Sequence, residues 1–227
     1  FFSLNDAPVT VEPINLKFTR ITGGPNAHQS SVYLPVTVYT CGVTTSLYLT
    51  LRDSFGLEYK SASASDAESV LANVRVVIHT SSVLVPFNIT VINGKYVIMF
   101  TPSKALAHTL SVDYSNQPIF GSPYVFVATP GVIDVASTLA SGALSVATAG
   151  VTSTRALMSR DKYMNARNPT SEFKVMFAAP RGVIELQLHS SSFSTGYIYS
   201  FVTTLSAEYS VSVFDSLGSI HIPGSPF

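Results

Sequence analysis

The sequence predicts an all-β chain folded as two tandem β-sandwiches. Three observations carry that prediction. Apolar residues alternate with period two along many short segments, nothing reads as a long amphipathic helix, and one ordered pattern of blocks occurs twice. Tyr96, Ile98 and Phe100 share one face of a strand, with Val97 and Met99 on the other. Leu110, Val112 and Tyr114 follow in the same style, then Tyr197, Tyr199 and Phe201, then Tyr209, Val211 and Val213. Gly, Pro, Asn and Ser bound these runs, as strand limits require. Many short strands with frequent turns indicate sandwiches. The best helix candidate is short, residues 65–73 (SDAESVLAN).

The repeat is visible residue by residue. Gly42-Val43-Thr44-Thr45-Ser46 is matched by Gly150-Val151-Thr152-Ser153-Thr154, Leu49 by Leu157, and Arg52-Asp53-Ser54-Phe55 by Arg160-Asp161-Lys162-Tyr163, each pair offset by 108. A second block closes each unit: Gly121-Ser122-Pro123-Tyr124 is matched by Gly224-Ser225-Pro226-Phe227, offset by 103. Each unit is thus roughly a hundred residues, a common domain size. These residue types have backbone reasons. Gly before Ser-Pro supplies a conformation that other residues resist. Pro123 and Pro226 have no N–H and suit the first residue of a strand. The aromatic after each Pro is placed to anchor a last strand. Asp53 and Asp161, following Arg52 and Arg160 at strand ends, are placed to accept from N–H groups two residues on.

Composition removes several function classes. Thirteen basic and thirteen acidic residues among 227 cancel, and the pI is near 7.1. A neutral chain lacks the electrostatic term that drives nucleic-acid binding. Fourteen Phe and eleven Tyr are too much core material for a disordered chain. No apolar run reaches the roughly 18–20 residues of a spanning helix. Charged residues make up 11%, against roughly 25% in ordinary domains. Ser and Thr fill that place, at about a quarter of the chain. Weak self-repulsion suits a chain packed among partners.

The blocks resemble the filamin-type immunoglobulin repeat. That family has an Asp-aromatic-Gly-Asn-like turn, a Gly-Tyr strand, a strand alternating Tyr and Val, and a closing Ile-Pro-Gly-Ser-Pro-Phe. The second unit reads Arg160-Asp161-Lys162-Tyr163-Met164-Asn165, then Gly196-Tyr197, then 209–214, then 222–227. The first reads Arg52-Asp53-Ser54-Phe55-Gly56, then Gly94-Lys95-Tyr96, then 110–114, then 121–124. The first lacks Asn after Gly56, and the second has Met164 where Gly is usual. The resemblance implies a seven-stranded antiparallel sandwich for each unit. Strands are expected near 46–53, 73–80, 86–92, 95–101, 108–115 and 123–129 in the first unit. In the second they are expected near 151–160, 171–178, 183–189, 196–203 and 207–214, with a first strand inside the small-residue stretch 131–150. The expected domains are 12–129 and 130–227, with the boundary at Thr129-Pro130-Gly131.

Against that pattern the second unit lacks a last strand after Phe227, and Phe1 to Val11 have no role in the first unit. With Phe1 in first place and no initiator Met, the chain reads as a section of a longer array or a processed product. In that reading Phe1 to Val11 is the last strand of a preceding repeat. The sharper alternative is strand donation, with Phe1–Val11 of one chain completing the second repeat of another.

No catalytic centre is expected. His28, His79, His108, His189 and His221 are scattered, and no zinc-protease, hydrolase or phosphate-loop motif is present. Cys41 is expected to be a buried small hydrophobe. Asp53 and Asp161 as calcium ligands lack the further carboxylates such a site wants, so turn structure is expected and no metal or cofactor. Asn88-Ile89-Thr90 is a glycosylation sequon, making Asn88 the modification candidate.

Two functional readings follow from the resemblance. Such repeats occur in cytoplasmic actin cross-linkers and in gamete-surface adhesion proteins of plants and algae. The first reading is a non-catalytic structural or adhesive module of an extracellular filament or cell-surface array, with neighbouring repeats of the same or identical chains as partners and neither nucleic acid nor a transmembrane segment involved. Low charge, Ser/Thr richness and the sequon favour it. The alternative is a cytoplasmic cytoskeletal scaffold whose repeats bind peptides by strand addition. The resemblance puts that groove at Val74 to His79 with Val85 to Val91, and at Phe173 to Phe177 with Val183 to Leu188.

Overall fold

In a computed structural model of the chain, the described residues are 3–4, 7–8, 23–61, 63–81, 83–141, 146–167, 173–179, 181–186, 189–190, 196–216 and 220–227. Two short strands, β1 (Ser3–Leu4) and β2 (Ala7–Pro8), pair with each other. The first sandwich then runs β3 (Asn26–Tyr33), β4 (Val38–Thr40), β5 (Thr45–Arg52), α1 (Ala64–Leu71), β6 (Val74–Thr80), β7 (Val83–Leu84), β8 (Phe87–Ile92), β9 (Lys95–Phe100), β10 (Ala107–Tyr114), β11 (Gln117–Pro118) and β12 (Tyr124–Thr129). One sheet is ordered β3-β5-β9-β8. The other is β4-β12-β10-β6-β7, with β11 against β10. All pairs are antiparallel except β4 with β12.

The second sandwich runs from a 3₁₀ turn at Val135–Ser137 through β13 (Leu139–Ser141), β14 (Thr152–Met158), β15 (Phe173–Ala179), β16 (Gly182–Leu186), β17 (His189–Ser190), β18 (Tyr197–Val202) and β19 (Ser210–Asp215). Its sheets are ordered β13-β14-β18-β17 and β16-β15-β19. Apart from the β4–β12 pair, the strands are antiparallel, as the repeat pattern implied.

Alternation sets which face each strand buries. In β5, Thr45, Leu47, Leu49 and Leu51 point inward while Tyr48 is exposed. Leu47 lies opposite Ile98 and Leu49 opposite Tyr96, so the register stacks buried residues on buried residues. From the facing sheet come Val76, Ile78, Leu110, Val112 and Phe126. Phe126 sits among three rings, with centroids 5.2 Å from Tyr39, 5.2 Å from Phe100 and 5.1 Å from His108. The second core repeats the scheme with Leu157, Val175, Tyr199 and Val213 fully buried. Burying each such side chain contributes about 1.5–3 kcal/mol.

The helix falls where its pattern indicated. Ser63 caps it, its side chain accepting from the Asp66 N–H at 3.2 Å, and Ala67 and Val70 face the core. The Tyr59 hydroxyl donates to Asp66 at 2.9 Å; burial and that carboxylate push the phenol up to about 12.

Four strands of the first sandwich were not anticipated: β3, β4 and the two-residue β7 and β11. The residues of β3, NAHQSSVY, are mostly polar, and only Ala27, Ser30 and Val32 turn inward. A register shift between Asn26 and Ser31 further breaks its period-two signal. Ser30 is fully buried because its hydroxyl donates to the Asn26 carbonyl and accepts from the Arg52 N–H.

Candidate functional site

The two sandwiches meet at a joint built by the Asp161 turn. Asp161 is buried, and its carboxylate is fully engaged. Oδ1 accepts from the N–H groups of Tyr163 and Asn165, both at 2.9 Å. Oδ2 accepts from the Gly131 N–H and from Asn165 Nδ2, both at 2.8 Å. Burial alone would raise this carboxyl's pKa; the Asn165 side chain and the Gly131, Asn165 and Tyr163 N–H groups outweigh it and hold it below the usual carboxylate range. Met164 completes the turn at φ +66°, the place that Gly56 takes in the first repeat at φ +77°.

The same turn grips the first sandwich. Asn165 Oδ1 accepts from the Ala105 N–H at 3.0 Å, and Asn165 Nδ2 donates to the Ser103 carbonyl at 2.9 Å. The Tyr163 ring lies on Gly42, where a Cβ would stand 2.9 Å from Cε2, and Lys162 Nζ sits 4.9 Å from that ring's centre. The linker is held too. The Cys41 N–H donates to the Thr129 carbonyl at 2.9 Å, and a Cβ on Gly131 would come within 2.6 Å of the Cys41 carbonyl oxygen. Cys41 is the buried small residue expected. Burial and the nearby Asp161 charge, opposed by Lys104, push its thiol up to about 11, so it is not a reactive thiolate.

The corresponding turn of the first repeat is built alike. Asp53 Oδ1 accepts from the N–H groups of Phe55 and Leu57, both at 2.9 Å, and Arg52 Nη1 donates to the Gly56 carbonyl at 2.7 Å. In the second repeat, the Arg160 carbonyl accepts from Asp134 at 2.8 Å.

The closing motifs are fasteners. Gly121 and Gly224 stand at φ +83° and +82°, and both Ser-Pro bonds are cis. Ser122 Oγ accepts from the Val112 N–H at 3.0 Å, and Ser225 Oγ from the Val213 N–H at 2.8 Å. Pro123 and Pro226 precede Tyr124 and Phe227. Tyr124 anchors by its hydroxyl, which accepts from the Val32 N–H at 2.9 Å and donates to the Phe120 carbonyl. The Ser role was not foreseen, since a Ser before Pro carries no signal of the strand it fastens.

Among the described residues no three His, Cys, Asp or Glu side chains gather as a metal site. His28 and His221 are exposed, His79 is half-buried, and His189 lies on β17. Asn88 is exposed on β8, accessible to modification. His108 is fully buried, stacked on Phe126, with Nδ1 2.9 Å from the Leu106 carbonyl and Nε2 without a partner. Burial holds its pKa below the ordinary imidazole value, against the opposing hydrogen bond. The folded state therefore resists protonation. Stability present above the unfolded pKa of about 6.5 is lost as pH falls through it toward the folded value. The thermal stability of the first repeat is expected to fall as pH drops from 7.5 to 5, and His108→Phe to flatten that slope; an unchanged slope refutes the assignment.

The strand edges differ between repeats. In the first, β6 (Val74–Thr80) is flanked by β10 and, at His79 and Thr80 only, by β7; β8 lies in the opposite sheet. In the second repeat the expected groove at Phe173 to Phe177 is not an edge, because β16 pairs along Val175–Ala179 and β19 along Phe173–Ala178. The segment expected to border the groove has joined the sheet instead; Leu188, its expected end, lies outside the described residues. An opening lies elsewhere. Val211 exchanges two backbone hydrogen bonds with Phe227, at 3.2 and 3.0 Å, as Leu110 pairs with Tyr124. Beside them a groove of about 400 Å³ is lined by Phe177, Phe201, Leu205, Tyr209, Val211 and Phe227.

No family model and no curated protein matches this chain. Solved structures do. The Escherichia coli adhesin FdeC is similar over 86% of this chain and 62% of its own, at 15% identity and TM-score 0.53. Invasin, a bacterial integrin-binding protein, is similar over 88% of this chain and 39% of its own, at 13% identity and TM-score 0.53. The Lin-41 filamin domain matches 47% of this chain and 97% of its own, at 24% identity and TM-score 0.38. This chain spans less than two thirds of the two adhesin structures. With the sheet orders above, the likeness to the adhesins establishes the fold: the chain is a tandem pair of immunoglobulin-like β-sandwiches, and its filamin-type sequence pattern is laid out on them.

Proposed function

We propose that this chain is a non-catalytic structural or adhesive module that acts as a stiff spacer in an extracellular filament or cell-surface array. The joint carries the proposal. A linker pinned by Gly131 and Cys41, and a turn that bonds simultaneously to its own linker and to residues 103–105 of the other repeat, hold two sandwiches at one angle. A spacer needs such fixed geometry. A surface setting is supported by the low charge, the accessible Asn88 sequon and the adhesins among its structural neighbours. Antibody labelling of unpermeabilised cells expressing the full gene product is expected to detect the repeats. Labelling only after permeabilisation overturns the surface reading in favour of the cytoskeletal one, for which the partly open edge of β6 is the supporting feature.

The groove beside Tyr209 and Val211 supports strand addition as a second binding mode, with Phe1–Val11 of another copy as donor. The described parts of that segment, β1 and β2, pair with each other, so donation requires their hairpin to open. A peptide of residues 1–11 is expected to raise the unfolding temperature of the second repeat; no shift at saturating peptide refutes this donor.

A further inference from the structure

The intramolecular joint is a template, and both of its halves recur, unoccupied among the described residues, at the Asp53 turn and at Gly150. The offset of 108 carries Gly131, Asp161, Tyr163 and Asn165 onto Gly23, Asp53, Phe55 and Leu57, and Gly42 onto Gly150. The receiving side corresponds by bonding as well as by sequence. The Gly42 N–H donates to the Pro102 carbonyl at 2.8 Å, and the Gly150 N–H to the Thr203 carbonyl at 2.7 Å, both glycines having positive φ, +83° and +79°. The loop at residues 103–105, which Asn165 grips, therefore corresponds to 204–206.

These outer halves differ from the joined ones as free surfaces should. Tyr163 is half-buried on Gly42, whereas Phe55 is 78% exposed. A Cβ on Gly42 would strike Tyr163, whereas Gly150 has nothing within 4 Å. Asp53 Oδ2 is buried without a partner, while the same oxygen of Asp161 holds the linker N–H and the Asn165 amide. Gly23 already lies beside Asp53, 3.8 Å from a Cβ built on it to Asp53 Cβ, the position from which a settled linker would donate. Leu57 in place of Asn165, opposite Leu205 in place of Lys104, makes the outer contact apolar rather than hydrogen-bonded.

We infer that these ends form a head-to-tail docking surface whose occupant is a second copy of this chain, the Phe55–Leu57 turn of one copy seating on Gly150, Val151 and residues 204–206 of the next. The inference rests on the array reading and deepens it. The contact joins different patches, so it propagates linearly instead of closing a symmetric pair. A dry surface of Phe, Leu and Val around a bare glycine is the chemistry that a copy's Phe55 fits.

The test uses the purified chain and is independent of where the protein resides in a cell. Leu57→Cys and Leu205→Cys chains, treated with a short bismaleimide, are expected to cross-link when mixed but not when separate, and the double variant to give a ladder of oligomers. Buried Cys41 serves as the silent background. In sedimentation, the wild-type weight-average mass is expected to rise with concentration and Phe55→Ser to remain monomeric, the exposure of Phe55 sparing the fold. Cross-linking of Leu57→Cys to itself, or no ladder with the mass flat up to millimolar concentration, overturns the inference. Surface labelling with no ladder leaves the array reading standing for joints within one polypeptide alone.

Discussion

Asp161→Ala is expected to destabilise the second repeat by about 3–5 kcal/mol and to free the joint. The substitution removes the acceptor for four hydrogen bonds, from Gly131, Tyr163, the Asn165 backbone and the Asn165 amide. A buried donor left unmade costs about 1–3 kcal/mol. Gly131 and Asp161 are buried where no water replaces the bond, while the half-buried Asn165 recovers part of its loss. Asn165 also loses the carboxylate that orients it toward Ser103 and Ala105, so the grip on the first repeat weakens with it. Urea unfolding checks the energy, and small-angle scattering checks the joint through a broadened distribution of chain dimensions. Asp53→Ala is the internal comparison. Only two N–H groups depend on Asp53, and its second oxygen holds nothing, so its cost should be clearly smaller. Equal costs would show that neither the linker bond nor the Asn165 amide bond contributes. A pH profile separates the charge from the geometry. The Asp161 carboxyl titrates below its unfolded value, so its stabilisation is complete above about pH 4 and is lost as pH falls through the folded value. That acid limb should shrink in Asp161→Ala.

How far the sequence disclosed this molecule depends on the range of each interaction. Period-two runs such as Tyr96–Phe100 and Tyr209–Val213 encode their strands locally, because alternation is fixed by the pleat. The Asp53 and Asp161 turns were legible for the same reason, since their N–H partners lie two and four residues on. The joint was not legible. Asn165 bonds to residues 60 and 62 positions away, and no pattern in either segment names the other. What the sequence did contain was Asn165 itself, present in one repeat and replaced by Leu57 in the other. That difference marks one turn as gripping a neighbour by hydrogen bonds. Strand β3 was hidden by its polar residues, since Ser30 is buried by virtue of two hydrogen bonds rather than hydrophobicity. The groove expected at Phe173 failed because the resemblance indicated which strands lie nearby but not that 182–186 pairs with 175–179.

Phe126→Ala is expected to cost the first repeat about 3–5 kcal/mol, the range for deleting a large aromatic from a packed core. Phe126 is 1% exposed and is, with Ala128, an inward side chain of β12, flanked by Tyr39, Phe100 and His108. The loss exceeds apolar transfer alone, because edge and stacked ring contacts go with it. His108 then loses its stacking partner while its Nε2 remains unbonded, so its resistance to protonation should fall as water enters. Two readouts follow: a lower urea midpoint for the first repeat with the second unmoved, and a shallower pH slope between 7.5 and 5. Phe126→Leu fills most of the volume and should recover more than half of the midpoint. If Phe126→Ala unfolds the first repeat outright, β12 is the keystone of that core.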